Sequence, residues 1–189
     1  MWEEVGENQN TMSNQSTRAT SKYLSFILRH NPEAGGITLD KEGWASVDEI
    51  IKGSKKQITR EQIEAAVRDN DKKRFELHED HIRASQGHSV PVDIKMDAYV
   101  PQGPVYHGTV EKNVKSILKD GLQPRNRIHV HLSKDVETAT SVGKRHGAPI
   151  LLEIDARRMR ADGIPLMESK NGVVLAKEVP PRYIKRLEE

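Results

Sequence analysis

The sequence predicts an α+β protein of two lobes, and three observations carry that expectation. Apolar residues first recur at helical spacing and then switch to alternation. A proline-rich, aperiodic stretch interrupts the chain at 88–104. Beyond it, short β-like runs are separated by only two helical segments, too few for the strict alternation of a doubly wound sheet. At 189 residues the chain is long enough for each lobe to bury a core.

The first sixteen residues are polar, rich in Asn and Gln and aperiodic, which predicts a mobile, disordered tail over 1–16. From Thr20 to His30, Leu24, Ile27 and Leu28 fall on one helical face, Thr20 or Ser21 can cap the start, and Pro32 blocks continuation. Ser46-x-x-Glu49 and Thr59-x-x-Gln62 are two capping boxes, in which side chain and backbone satisfy each other's exposed amides, and Ile58 and Ile63 add a hydrophobic staple. In "RFELHEDHIRAS" Phe75, Leu77, Ile82 and Ala84 alternate across a polar His78–His81 connection, the pattern of a β-hairpin. Three helices and a hairpin suggest a winged-helix lobe over 17–90. A linker at 91–103 and a second lobe over 104–189 follow, with an α+β fold on a small antiparallel or split sheet. Its strands are expected in "VYHGT", "IHVHLS", "PILLEID" and "GVVLA", and its helices over Glu111–Asp120, closed by Gly121, and Asp135–Arg145, closed by Gly147. No internal repeat is evident.

The balance of 30 Lys and Arg against 28 Asp and Glu gives a net charge of +2, so any signal for a polyanionic partner must be local. The absence of cysteine excludes disulfides and thiolate chemistry. No apolar run approaches a membrane span and the N-terminus lacks the plan of a secretory signal, so a cytoplasmic protein with no membrane contact is expected.

Four kinds of candidate residue stand out. Arg29 and His30 end the first helix, where cations are favoured by the exposed carbonyls and need no further reason. His129 and His131 are two apart on an expected strand and share a face, but without cysteine or a carboxylate in register no metal site is expected. His107-x-Thr109 and His131-x-Ser133 form two His-x-Ser/Thr motifs, as in two-histidine phosphoesterases, where paired imidazoles serve as acid and base. Basic clusters lie at Lys52, Lys55, Lys56 and Arg60, at Lys72 to Arg74, at Lys144 to His146, and at Arg157, Arg158 and Arg160. The first two are placed to follow a phosphate backbone, and the last is expected to be solvated surface charge. No Gly-rich nucleotide fingerprint is present.

Taken in order, "LSFILRH", "DKKRF", "IRASQGHS", "YHGT", "RIHVHLS" and "NGVVL" resemble the RNA 2′-phosphotransferase family over residues 20 to 186. The resemblance implies a winged-helix lobe joined to an ADP-ribosyltransferase-like split-sheet lobe that binds NAD, consumed as a co-substrate. The implied substrate is 2′-phosphorylated RNA, a tRNA splice junction in the family, with no protein partner. Matched motif by motif, the phosphate-binding and catalytic group falls on Arg29, His30, Arg74 and Arg127, expected to meet where the lobes join; Arg83 and Arg125, their near neighbours, are alternatives for two of these places. His107, Gly108, Thr109, His131 and Ser133 match NAD contacts, and Gln86, Gly87 and His88 a substrate-binding motif. Val174 departs from an aromatic common at that point in the family.

The implied reaction has two steps. The RNA 2′-phosphate attacks the anomeric carbon that nicotinamide leaves. A ribose hydroxyl then attacks phosphorus, freeing the RNA 2′-hydroxyl and ADP-ribose 1″,2″-cyclic phosphate. Arginines suit the second step, because a planar guanidinium grips two phosphate oxygens at once and stabilises the gathering charge. The competing reading is an RNA cyclic phosphodiesterase using His107 and His131.

Overall fold

The computed structural model describes residues 4–187, with side chains from residue 15 onward. The chain divides into two compact units, Met1–Lys95 and Met96–Glu189.

In the first unit, α1 runs over Glu4–Arg29. Leu24, Ile27 and Leu28 are fully buried, as their spacing requires. The helix begins well before Thr20, so from Glu4 onward the segment expected as a disordered tail is helical. The physical reason is propagation: no proline interrupts 4–29, and extending a formed helix is far cheaper than nucleating one. Despite its length, no described helix is long and apolar enough to cross a membrane.

One of the two expected capping boxes forms in full; at the other Ser46 caps the helix, but the Glu49 carboxylate accepts from the Thr38 amide instead of closing the box. Ser46 accepts from the Glu49 amide ahead of α2 (Val47–Gly53), and Thr59 and Gln62 complete a reciprocal box ahead of α3 (Arg60–Arg68). Ile58 and Ile63 are both buried. The hairpin of β2 (Phe75–His78) and β3 (His81–Ala84) pairs Phe75 with Ala84 and Leu77 with Ile82. The short β1 (Ala45–Ser46), which has no periodic signal of its own, adds to β3 as a third antiparallel strand. Helices and sheet close over one core that includes Leu24, Ile27, Ile50, Ile63, Phe75 and Ile82.

Residues 91–103 are tied down rather than free. The Asp93 amide donates to Lys41, within the first unit, and the strand β4 (Asp97–Ala98) pairs with 167–168 in the second. The second unit continues with β5 (Val105–Thr109), α4 (Glu111–Asp120), β6 (Val130–Leu132), α5 (Val136–Gly143), β7 (Ile150–Ile154), α6 (Ala156–Ala161), β8 (Met167–Glu168), β9 (Val174–Ala176) and β10 (Ile184–Arg186). Its strands form two antiparallel sheets, ordered β10-β7-β5 and β4-β8-β9-β6, and a bridge between Tyr106 and Ser133 links β5 to the end of β6. The whole protein is thus mixed α and β with small antiparallel sheets.

Two expectations are corrected here. The second unit has a third helix, α6, where surface charge alone was expected; Asp155 caps it by accepting from the Arg158 amide, and Met159 anchors it in the core. The segment expected as one helix to Arg145 ends at Gly143 and tightens into a 3-10 turn over Lys144–His146.

Gly108 on β5 is required by packing. A Cβ there would lie 1.9 Å from the Ala139 carbonyl oxygen of α5 and 2.9 Å from the Gly143 nitrogen. Backbone cannot yield as a flexible side chain does, so Gly108→Ala is expected to cost about 3 kcal/mol or more. Gly103→Ala, where a Cβ meets nothing within 4 Å, should be near neutral. Urea unfolding of the two variants checks the contrast.

Candidate functional site

The expected site residues fall into two groups, one in each unit. Arg29, His30, Arg74, Gln86, Gly87 and His88 belong to the first; His107, Gly108, Thr109, Arg127, His131 and Ser133 belong to the second.

In the first unit the end of α1 is fastened to the segment after β3. Ser89 donates its amide (2.9 Å) and its hydroxyl (3.4 Å) to the Arg29 carbonyl, one of the acceptors that a helix end leaves open. The same hydroxyl lies 2.9 Å from His30 Nδ1. Since that hydroxyl's proton points to Arg29, Nδ1–H is the donor in this contact. Gly87, at φ 91°, makes the turn that brings His88 and Ser89 back to the helix.

Arg29 is buried, yet its charge is felt locally. His88, only 3 % exposed, has its pKa lowered to about 4, first by burial and then by Arg29, His30 and Arg83. Its Nε2 has no hydrogen-bond partner among the described residues. Arg74 stands at the start of β2 and donates to Asn70 Oδ1 at 3.5 Å.

Arg83 is held differently from Arg74. It pairs with Glu76 at 3.1 Å, donates to the Glu42 carbonyl, and lies 4.5 Å from the centre of the Trp44 ring, all at 6 % exposure. A guanidinium so occupied is a structural cation.

In the second unit two histidines adopt opposite tautomers. His107 Nδ1 lies 3.1 Å from the His131 carbonyl oxygen, which only accepts, so Nδ1 carries the proton. His131 Nδ1 lies 2.9 Å from Arg127 Nη1, which only donates, so here Nδ1 accepts and Nε2 carries the proton. Burial lowers the His107 pKa, with Arg125 and His146 adding to the effect against the opposing hydrogen bond to His131. Arg145 acts in the same way on Arg127. The Lys144–His146 cluster, to which the sequence gives no role, therefore contributes to a cationic field around His107 and Arg127. Arg125 itself sits at φ 43°, in the left-handed region that a residue with a Cβ rarely occupies.

The hydroxyls are less alike than their motifs. Thr109 is buried and accepts from Asn113 Nδ2 in the first turn of α4, while Ser133 is half-exposed and uses its backbone to bridge Tyr106. His129 does not join His131: burial lowers its pKa, and the charge it feels is Lys177. Val174 is fully buried in the core of the second unit, where its side chain serves packing.

Sequence reasoning missed Asn70, which orders the turn before Arg74, and Ser89, which secures Arg29 and His30. Each is a small polar residue whose role depends on a contact 49 or 60 residues away. No local pattern announces such contacts.

Comparison with known proteins is consistent across the length of the chain. A family profile described as RNA 2'-phosphotransferase, Tpt1 / KptA family, matches residues 15–178. A "Probable RNA 2'-phosphotransferase" of Pseudomonas fluorescens is 45 % identical over 182 residues, covering 93 % of this chain and 100 % of the relative. Proteins of the same description from Burkholderia pseudomallei and Flavobacterium johnsoniae are 47 % and 46 % identical. They cover 90 % and 92 % of this chain, and 95 % and 98 % of their own lengths.

The depressed His88 pKa has a consequence for stability. Between pH 6.5 and about 4 the unfolded chain binds a proton at this residue that the folded protein does not. Stability from this group is therefore complete above pH 6.5 and lost as pH falls through that window, by on the order of 3 kcal/mol in total. Comparing urea midpoints at neutral and acid pH for the wild type and His88→Asn isolates the term, and the variant should show the shallower loss.

Proposed function

The chain belongs to the RNA 2′-phosphotransferase family, and from that premise we propose that it removes the 2′-phosphate of RNA, such as a tRNA splice junction, by consuming NAD. The phosphate passes through an ADP-ribosylated RNA 2′-phosphate to ADP-ribose 1″,2″-cyclic phosphate, leaving RNA with a 2′-hydroxyl and free nicotinamide. The observation that carries this reading is the family match over residues 15–178, which spans both cationic groups.

The architecture supports it. Three helices and a hairpin in the first unit are the parts of a winged helix, and the paired antiparallel sheets of the second suit an ADP-ribosyltransferase-like lobe. The second unit also fits a dinucleotide chemically. Arg125, Arg127, Arg145 and His146 supply positive charge beside His107 and His131, as the pyrophosphate of NAD requires. When bound, NAD supplies an electrophilic ribose carbon with a neutral leaving group.

The protein's own task is placement and charge stabilisation. Arg29, His30, Arg74 and Arg127 hold the phosphate. Gln86, Gly87 and His88, in the proposed substrate-binding motif, lead directly into Ser89, whose bonds to the Arg29 carbonyl and to His30 Nδ1 fasten this segment to the end of α1. His107 through Nε2 and His131 through Nε2–H offer an acceptor and a donor to the hydroxyls of the sugar, with Gly108, Thr109 and Ser133 shaping the strands beneath. A phosphate monoester is already an anion, so the first step asks for orientation more than proton transfer. In the second, guanidinium donors stabilise charge on the equatorial oxygens.

The phosphodiesterase reading fares less well. The buried Thr109 hydroxyl is engaged with Asn113, and protonating His131 at Nδ1 would set two cationic donors against each other. A reaction of that kind also has no use for Arg29 or Arg74.

Incubation with a 2′-phosphorylated oligonucleotide should show conversion only when NAD is added. Release of inorganic phosphate without NAD would contradict the proposal. Arg29→Ala and Arg127→Ala are expected to slow the second step by roughly 100-fold and the first by less, so that the ADP-ribosylated RNA accumulates. Gel analysis of the RNA during turnover reads both steps.

A further inference from the structure

Counted from Arg18, every fourth residue along α1 and its final turn is exposed, and each is a cation, an aromatic or an imidazole: Arg18, Lys22, Phe26 and His30. Residues four apart lie one above another on successive turns, so these side chains form a single, slowly winding stripe about 18 Å long. From residue 15 to Arg29 the helix carries three cations and no carboxylate.

Phe26 is the member that packing does not explain. It is 45 % exposed on a helix whose Leu24, Ile27 and Leu28 are completely buried. It stands one turn before His30, whose amide donates to the Phe26 carbonyl at 3.0 Å.

A second basic element lies against the same helix. Asn70 donates from Nδ2 to Ser21 Oγ at 3.2 Å and accepts at Oδ1 from the Lys72 amide at 3.2 Å and from Arg74. Lys72, Lys73 and Arg74 are thereby fastened beside the residue that precedes Lys22. Lys73 holds a φ of 42°, unfavourable for a residue with a Cβ, and Asn70 and Ser85 keep it there through bonds to its backbone.

We propose that this stripe is the path of the RNA strand flanking the 2′-phosphate. Phe26 stacks on the nucleobase next to the phosphorylated nucleotide, and Arg18, Lys22, Lys72 and Lys73 hold backbone phosphates beyond it. An exposed ring set among cations, with no acidic residue between residue 15 and Arg29, matches single-stranded nucleic acid: the ring meets the face of any base and the cations follow the backbone. The inference rests on the RNA substrate of the preceding section and adds where the strand runs.

The test uses the full chain and a fluorescent 2′-phosphorylated oligoribonucleotide with a few nucleotides on each side, without NAD, with anisotropy followed over a range of salt. Phe26→Ala is expected to weaken binding about 5- to 150-fold, and Phe26→Trp to restore it. Lys22→Gln should reduce the slope of log affinity against log salt by about 0.7. An unchanged melting temperature confirms that each variant is folded. Wild-type affinity in a folded Phe26→Ala protein, or an unaltered slope in Lys22→Gln, overturns the proposal. If the variants behave as expected but the wild type leaves the same oligonucleotide unconverted with NAD, the strand path stands and the proposed reaction falls.

Discussion

Like charges must be held close together without being neutralised, and this constraint governs the arrangement of both units. The proposed phosphate site gathers several guanidinium groups, and each added cation repels the others. The first unit meets the difficulty by anchoring backbone rather than charge. Ser89 bonds the Arg29 carbonyl, at the helix end where the dipole already favours a cation. Arg83 shows the contrasting solution. It pairs with Glu76 and lies against the face of Trp44.

The surrounding histidines adapt to this field instead of adding to it. His88 and His107 are each discouraged from taking a proton by burial first and by neighbouring cations second. His131 goes further and accepts from Arg127, which orients the guanidinium while keeping the ring neutral. A neutral imidazole presents one donor and one acceptor, a property suited to recognising sugar hydroxyls. Two adjacent strands thus display opposite tautomers, both set by fixed hydrogen-bond partners.

Much of the fold was legible because local chemistry and global packing agree. The Thr59–Gln62 box, the Phe75–Ala84 register and the helix ending at Gly121 each follow from residues within a few positions of one another. Where long-range contacts decide, the sequence was mute. Two-residue strands such as β1 and β4 exist only because a neighbouring strand offers hydrogen bonds, and Asn70 and Ser89 acquire their roles from residues far away in the chain. The same holds for the candidate site. The motif order singled out Arg29, His30, Arg74 and Arg127, but the Glu76 and Trp44 contacts of Arg83 and the tautomers of His107 and His131 depend on partners that no motif names. The early start of α1 belongs to a third kind, in which a segment without a periodic signal is helical because nothing stops the helix.

The central claim is that phosphorus leaves RNA for a sugar and not for water, held throughout by guanidinium groups. Phosphorus-31 NMR during turnover of a 2′-phosphorylated oligonucleotide with NAD follows that atom directly. The account requires the monoester signal to give way to a cyclic phosphodiester attached to ADP-ribose. Direct appearance of inorganic phosphate, with NAD unconsumed, would contradict it.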